Sequence, residues 1–415
     1  MSPSRAMWPR RLPQRLEERL GGRTPLVLVA LLGLLLRVAL LMAARHNTVF
    51  ADEREYEATG LALWKLHGFF GAHGPTAYHA PAQSIFIAVA YALFGPHAMV
   101  VKVLQVLLLT ALPFLCARLV RAMGFGAATA LLAALLISVH PALAYAATTL
   151  YPTTLTAVAL TVGVVYCITA FERERGLDEV IAAIALAIAA AATSVFAPLP
   201  VLCAVWFAWK RRFRAALVIG LLGTLPTVAW MARNRAVMGE FALATDGGVN
   251  LYLGANDAAT PLSGNWVLVP PVSATSEAGR DHAYAHEAEM WIEAHPAHWL
   301  WLCAERGVAV ADSAGRPKTE GLHSGVAERV VACAMLPFVL LGLAGMVRMR
   351  RSAAVWFAGF ALGLVVLSSA VTLVKPRFRF PCDPLLCCFA ACALASLTPG
   401  PRSRREPDCG CSCGG

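Results

Sequence analysis

Residues 25–43 read PLVLVALLGLLLRVALLMA, and nine residues after that run ends the chain turns to Asp52-Glu53-Arg54-Glu55-Tyr56. An apolar run of this length crosses the hydrocarbon core of a bilayer, about 30 Å thick. The acidic cluster that follows lies at the membrane surface. Further apolar runs fill the chain, and a basic cluster, Lys375-Pro376-Arg377-Phe378-Arg379, precedes the last of them.

The composition agrees with this reading. Of 415 residues, 58% are apolar and only 14% are charged, whereas a soluble domain carries about 25% charged residues. The chain is an all-α polytopic membrane protein. Its net charge of +10 collects in short clusters between apolar runs, as the positive-inside bias predicts, so it gives no nucleic-acid signal. Seven of the twelve cysteines (Cys116, Cys167, Cys203, Cys333, Cys387, Cys388 and Cys392) lie in apolar runs, where cysteine behaves as a small hydrophobe. Cys409, Cys411 and Cys413 form a Gly-rich C-x-C-x-C tail, read as disordered rather than metal-binding.

Ten spans fit, near 25–43, 99–117, 127–147, 154–171, 179–193, 195–209, 214–231, 329–348, 353–373 and 382–397. The division is a basic N-terminus over 1–24, a transmembrane unit over 25–397 and a tail over 398–415. With Arg5, Arg10, Arg11, Arg15, Arg19 and Arg23 in the cytoplasm, four other basic clusters fall on the same side. They are Arg118/Arg121, Lys210-Arg211-Arg212 with Arg214, Arg348/Arg350/Arg351 and Arg402/Arg404/Arg405. Both termini are then cytoplasmic, and two long loops, about 44–98 and 232–328, are external. Segments Tyr56–Leu66, Ser84–Phe94 and Gly279–His295 read as helices within those loops, the first two lying along the interface. Gly68, Gly71, Gly74, Pro75 and Pro81 make a turn-rich connection between the first two.

Several groups in the external loops can do chemistry. Asp52 can act as a general base toward a hydroxyl. Asp52 and Glu53 together could share a divalent cation; the plainer alternative is an acidic cap on an interfacial helix. Arg377 and Arg379 are two apart, so an extended segment points both the same way, able to grip one phosphate with Lys375 alongside. Positive charge on the external face runs against the topology rule, which a phosphate ligand explains; snorkelling at the interface is the alternative. Arg233 and Arg235, at the outer end of the seventh span, could add to that site. Asn250 and Asn256 flank Gly254 in a Gly/Asn-rich loop and carry amides of the kind that read sugar hydroxyls. His79 flanks the Gly/Pro turn and could face substrate, as could His73. Lys102 and Gln105, near the outer start of the second span, could line a cavity. His282 and His286 are four apart on a helix, but no H-E-x-x-H pattern accompanies them.

In this order and spacing the motifs resemble the polytopic glycosyltransferases of the protein-mannosyltransferase and aminoarabinose-transferase superfamily, over roughly residues 25–395. The resemblance rests on Asp52-Glu53-x-x-Tyr56, Pro75-Thr76-Ala77-Tyr78-x-Ala80-Pro81, Leu93-Phe94-Gly95, His140-Pro141, Arg233-Asn234 with Gly239-Glu240-Phe241, the Gly247–Asn256 run, Trp291–Pro296, and Arg377-Phe378-Arg379-Phe380-Pro381-x-x-Pro384. It implies the GT-C membrane fold, a transmembrane helix bundle with interfacial helices in external loops, in a bacterial plasma membrane. It implies a polyprenyl-phosphate sugar donor, a lipid, glycan or protein acceptor, and an external active site. Asp52 would be the catalytic carboxylate. Arg377 and Arg379, with Lys375 and Arg233, would hold the donor phosphate. Glu53, Tyr56, Tyr78, His79, Lys102, Asn250 and Asn256 are candidates to line the substrate. Many members use a divalent cation such as Mg or Mn, for which Glu53 is the candidate ligand.

Two departures stand out. Relatives often carry an acid near the outer start of the fourth span, where this chain has Leu150-Tyr151-Pro152-Thr153-Thr154. Asp383 falls within the Arg-rich motif, four residues from Arg379 and placed to pair with it. Two other readings remain open. One is a transporter or flippase of lipid-linked sugar, which should show paired repeats and broken helices at the midplane. The other is a non-catalytic protein on the same scaffold.

Overall fold

The structure is a computed structural model that describes residues 14–44, 51–71, 74–261, 269–274, 276–311 and 325–397. The C-x-C-x-C tail, His73 and the first arginines lie outside the described residues. The architecture is all-α, with one two-stranded hairpin pairing Phe70–Gly71 antiparallel to Gly74–Pro75. Each of the ten expected runs is helical. Six described helices are long and apolar enough to cross a membrane: Arg23–Ala43, Ala98–Ala122, Thr153–Arg173, Phe213–Met238, Ala353–Val371 and Arg377–Leu397.

Proline and helix capping account for the breaks that a run of apolar residues conceals. The second run divides into Ala98–Leu109 and Leu112–Ala122. Pro113 has no N–H to bond the carbonyl four residues back, and the helix restarts with it in the first turn. The third run divides at His140-Pro141 into Ala127–Ser138 and Pro141–Ala146. His140 caps the new start, its Nδ1 accepting from the Leu143 N–H at 3.3 Å. The seventh run is longer than expected and continues to Met238, so Arg233 and Arg235 sit on its last turns rather than in a loop. It stops at Gly239, whose φ of +82° suits glycine.

The core lies around the fourth and last runs. In Thr153–Arg173 and Arg377–Leu397, 72% of the apolar window is buried, against 22% in Arg23–Ala43. The first helix instead leaves Leu28, Leu35 and Met42 exposed, a lipid-facing pattern. Thr153–Arg173 packs closely on Gly176–Ala192 because the contact is built from small residues. A Cβ on Gly163 would lie 2.8 Å from Leu186 Cδ2.

The expected loop helices are present as Ala51–Trp64, Ala82–Phe94 and Glu277–Ala294. The first two lie against each other at Gly60, where a Cβ would come 2.6 Å from Ile87 Cγ2. The Gly247–Gly254 segment, expected to be part of a Gly/Asn-rich loop, is a helix. Its glycines serve close approach rather than turning: a Cβ on Gly248 would lie 1.9 Å from the Asp281 carbonyl oxygen, and one on Gly254 1.8 Å from that of Thr372. The two long loops are tied together through Glu277, which accepts from Thr76 Oγ1 at 2.7 Å and the Ala77 N–H at 2.9 Å.

Candidate active site

Asp52 lies in the first turn of the Ala51–Trp64 helix, where a carboxylate is favoured by the free N–H groups. Its Oδ2 accepts from an Arg377 guanidinium nitrogen at 2.8 Å and from the Tyr151 hydroxyl at 3.2 Å. The Arg377 guanidinium also lies 4.2 Å from the centre of the Tyr151 ring. Asp52 and Arg377 are 325 residues apart. Partial burial works against the charged form of Asp52, but Arg377 and His79 outweigh it and hold the carboxyl below its ordinary value. Burial pushes the Tyr151 hydroxyl up, so it stays a proton donor at neutral pH.

The position of Tyr151 is set by three buried polar side chains. Glu53 Oε2 accepts from the Leu150 N–H at 2.8 Å, Gln83 donates to the Leu150 carbonyl at 2.8 Å, and Gln105 donates to the Thr149 carbonyl at 2.6 Å. They come from the Ala51–Trp64, Ala82–Phe94 and Ala98–Leu109 helices. Leu150 itself is packed in an apolar cluster with Tyr56, Ile87 and Val101. The loop between the third and fourth runs is therefore fastened on both its polar and apolar sides.

An aromatic row leads away from Asp52. Tyr151 meets Tyr56 edge-on at 6.4 Å, Tyr56 stacks on His79 at 4.2 Å, and Tyr78 meets His79 at 4.8 Å. His79 lies 3.1 Å from Glu55 and 4.0 Å from Asp246. Burial raises the Tyr56 and Tyr78 hydroxyls, and burial raises the Asp246 carboxyl, with His79 opposing. His79 and Tyr78 also form part of the wall of a cavity of about 720 Å³ that includes Arg54, Glu55, Thr59 and Arg280. Asp52 and Arg377 are not among its walls. The row Tyr151–Tyr56–His79 joins the two places.

Other sequence candidates are placed differently. Residues 376–379 form a helical turn instead of an extended segment, so positions two apart do not share a face. Arg377 meets Asp52, whereas Arg379 is buried and bonds Asp383 at 2.9 Å and the carbonyls of Val310 at 2.9 Å and Ala311 at 3.2 Å. The expected Arg379–Asp383 pair is present, and it occupies the guanidinium that was to have clamped a phosphate jointly with Arg377. His140 approaches the other Asp383 oxygen at 3.4 Å. Lys375 stands at the residue just before the same helical turn, in an extended conformation.

Arg233 latches the hairpin. It donates to the carbonyls of Thr76 at 3.1 Å and Phe69 at 3.3 Å, and its guanidinium lies 5.0 Å from the centre of the Trp230 ring. Asn256 is used locally, donating to the Tyr252 carbonyl and accepting from the Ala258 N–H. Asn250 is half-buried on the Gly247–Gly254 helix, where it bonds Asp246. Lys102 is half-buried on Ala98–Leu109. His282 lies 3.5 Å from Glu240.

The pairing of Asp52 and Glu53 around one cation does not fit this geometry. Glu53 turns to a backbone N–H, and Asp52 faces a guanidinium, which a divalent cation would repel. Among the described residues there is no group of three or more His, Cys, Asp or Glu able to hold a metal.

The sequence motifs do not mark Tyr151 as a site residue, although it lies in the Leu150–Thr154 stretch where the chain departs from the family it resembles. Gln105, expected to line a cavity, is buried and donates to the Thr149 carbonyl instead. Gln83 and Glu277 carry no sequence signal, since their partners are distant in sequence.

No protein-family model matches the chain, and no curated protein matches it by sequence. Its fold does match solved structures. One is ArnT from Cupriavidus metallidurans bound to undecaprenyl phosphate, with a TM-score of 0.55 and 15% identity, covering 90% of this chain and 60% of that one. Another is the oligosaccharyltransferase of Archaeoglobus fulgidus in the apo form, with a TM-score of 0.55 and 14% identity, covering 89% of this chain and 50% of that one. The chain thus spans between half and two thirds of the length of these neighbours. Both are GT-C glycosyltransferases, and the chain has the all-α, polytopic GT-C membrane fold.

Proposed function

We propose that this chain is a membrane glycosyltransferase that moves a sugar from a polyprenyl-phosphate donor to an acceptor hydroxyl, inverting the anomeric centre, at the external face of the membrane. The acceptor is a lipid, a glycan or a protein. The observation that carries this reading is the Asp52–Arg377 contact at 2.8 Å, a base and a phosphate-binding cation brought together from opposite ends of the chain. The placement of both on the external side rests on the charge distribution of the loops. The neighbour bound to undecaprenyl phosphate supports the donor class.

The chemistry asks for few groups. A lipid phosphate departs as an anion and needs no general acid, but it does need positive charge beside the oxygen that leaves. Arg377 supplies that charge. The acceptor oxygen forms its bond to the anomeric carbon as the carbon–phosphate oxygen bond breaks, and the electron pair leaves with the phosphate. The acceptor proton passes to Asp52. A carboxylate with a depressed pKa is a weak base toward a free hydroxyl. The hydroxyl becomes strongly acidic once it is bonded to the sugar carbon, so the transfer runs downhill late in the step.

The test is incubation of the purified protein with a panel of polyprenyl-phosphate sugars, followed by mass spectrometry of the lipid. Release of polyprenyl phosphate or transfer of sugar is the expected result. A panel left intact by the wild-type protein, in the presence of lipid, glycan and peptide acceptors, would count against the reading.

A further inference from the structure

We infer that Tyr151 is the pivot on which Arg377 exchanges Asp52 for the phosphate of the donor, the tyrosine hydroxyl keeping Asp52 in place while the guanidinium moves. This rests on the function proposed above and adds a positioning residue to it.

In the structure Arg377 and Asp52 neutralise one another, each with a side chain 37% exposed. A base and a clamp bonded to each other cannot at the same time serve acceptor and donor. One of them must let go, and the geometry indicates which. The Arg377 to Asp52 hydrogen bond depends on direction. The contact between guanidinium and ring face, at 4.2 Å, tolerates sliding and rotation of the cation. Arg377 can therefore leave Asp52 and remain attached to Tyr151. Its backbone stays fixed, because Arg379 two residues on is buried and bonded to Asp383, Val310 and Ala311.

Tyr151 is built to stay still while this happens. Glu53, Gln83 and Gln105 are all buried, and their side chains are committed to the backbone of Thr149 and Leu150. Hydrogen bonds with side chains of three different helices hold these two residues rigidly. The mobile partner is a half-exposed arginine, and the fixed partner is the ring beneath it.

The hydroxyl has a separate duty. When a phosphate takes Arg377, Asp52 loses its counter-ion and gains a nearby negative charge. Both changes favour its protonation, which would remove the base. The Tyr151 O–H, 3.2 Å from the same Oδ2, remains to hold the carboxylate charged.

The ring and the hydroxyl can be tested apart. Wild type, Tyr151→Phe and Tyr151→Leu are purified in nanodiscs, and each is checked by thermal unfolding. Undecaprenyl phosphate is titrated against each, and the pH dependence of turnover is measured with whichever polyprenyl-phosphate sugar the wild type uses. Tyr151→Phe keeps the ring, so its affinity for undecaprenyl phosphate stays within about threefold of wild type, while the acid limb of its rate profile moves to higher pH. Tyr151→Leu loses the ring and binds undecaprenyl phosphate about 5-fold or more weakly. An unmoved acid limb in Tyr151→Phe, or unchanged affinity in Tyr151→Leu, overturns the pivot while leaving the glycosyltransferase reading intact. A wild-type protein that neither binds undecaprenyl phosphate nor uses any donor overturns both.

Discussion

Replacing Asp52 by asparagine separates the chemistry from the fold. Asparagine keeps the size of the side chain and an oxygen able to accept from Tyr151, but it cannot take a proton from an acceptor. The lost ion pair joins two side chains that are each 37% exposed, so solvent screens it and the loss costs about 0–1 kcal/mol of stability. Loss of a positioned general base slows turnover by about 10²–10⁴-fold. The predicted signature is therefore a large fall in rate with a nearly unchanged melting temperature. The assay is sugar transfer by purified protein in nanodiscs, read by mass spectrometry, beside thermal unfolding of the same samples. Glu53→Ala is the contrasting control. Glu53 is buried and accepts from the Leu150 N–H, so its removal strands a buried donor at a cost of about 1–3 kcal/mol. Activity in that variant falls together with stability. Wild-type turnover by a folded Asp52→Asn protein would refute the assignment of the base, and a melting temperature that collapses in parallel with its activity would refute the claim that Asp52 is dispensable for folding.

Three further predictions follow from the same geometry. Because the folded pKa of Asp52 is depressed, its contribution to stability is complete above the ordinary carboxylate value, near 4, and is lost as pH falls through the lower folded value. The kcat/KM profile, which reports the free enzyme, should accordingly be flat through neutrality with an acid limb below about pH 4, and Arg377→Gln should move that limb upward; a kcat/KM limb near pH 6 in the wild type would contradict this. Arg379→Met leaves Asp383 buried without its cation and should cost about 3–5 kcal/mol, seen as a lowered melting temperature, while the fraction that remains folded binds undecaprenyl phosphate as the wild type does; selective loss of that binding would return Arg379 to the phosphate site. Gly254→Ala drives a Cβ to 1.8 Å from the Thr372 carbonyl oxygen and should destabilise by about 1–3 kcal/mol or more, which thermal unfolding measures.

Much of the fold was legible because a bilayer constrains sequence severely. A helix crossing it needs a long apolar run, so the positions of the runs around 25–43, 154–171, 214–231 and 353–373 could be read directly. Breaks within runs were harder. At Pro113 and at His140-Pro141 the chain stays apolar while the helix stops, and hydropathy does not register a missing N–H. The Gly247–Gly254 run is ambiguous for a related reason. Glycine permits turns, but it also permits two backbones to approach, and here the second use prevails because Asp281 and Thr372 lie against it. That choice depends on neighbours the local sequence does not name.

The site divides along the same line. The sequence alone established which kinds of group were present: a carboxylate after the first run, arginines before the last, and tyrosines in the motif segments. Charge and chemistry belong to residues, and a strong charge beside an apolar run is visible wherever the chain later goes. Only the tertiary structure decided which groups meet. It turned Arg377 to Asp52 and Arg379 into the protein, because four residues from Pro376 to Arg379 wind into a helical turn and so point in different directions. It also brought Tyr151 beneath Arg377, through hydrogen bonds that Glu53 accepts from, and Gln83 and Gln105 donate to, a backbone tens of residues away. Such bonds are made to N–H and C=O groups that nearly every residue carries, which is why no pattern of side chains could have announced them.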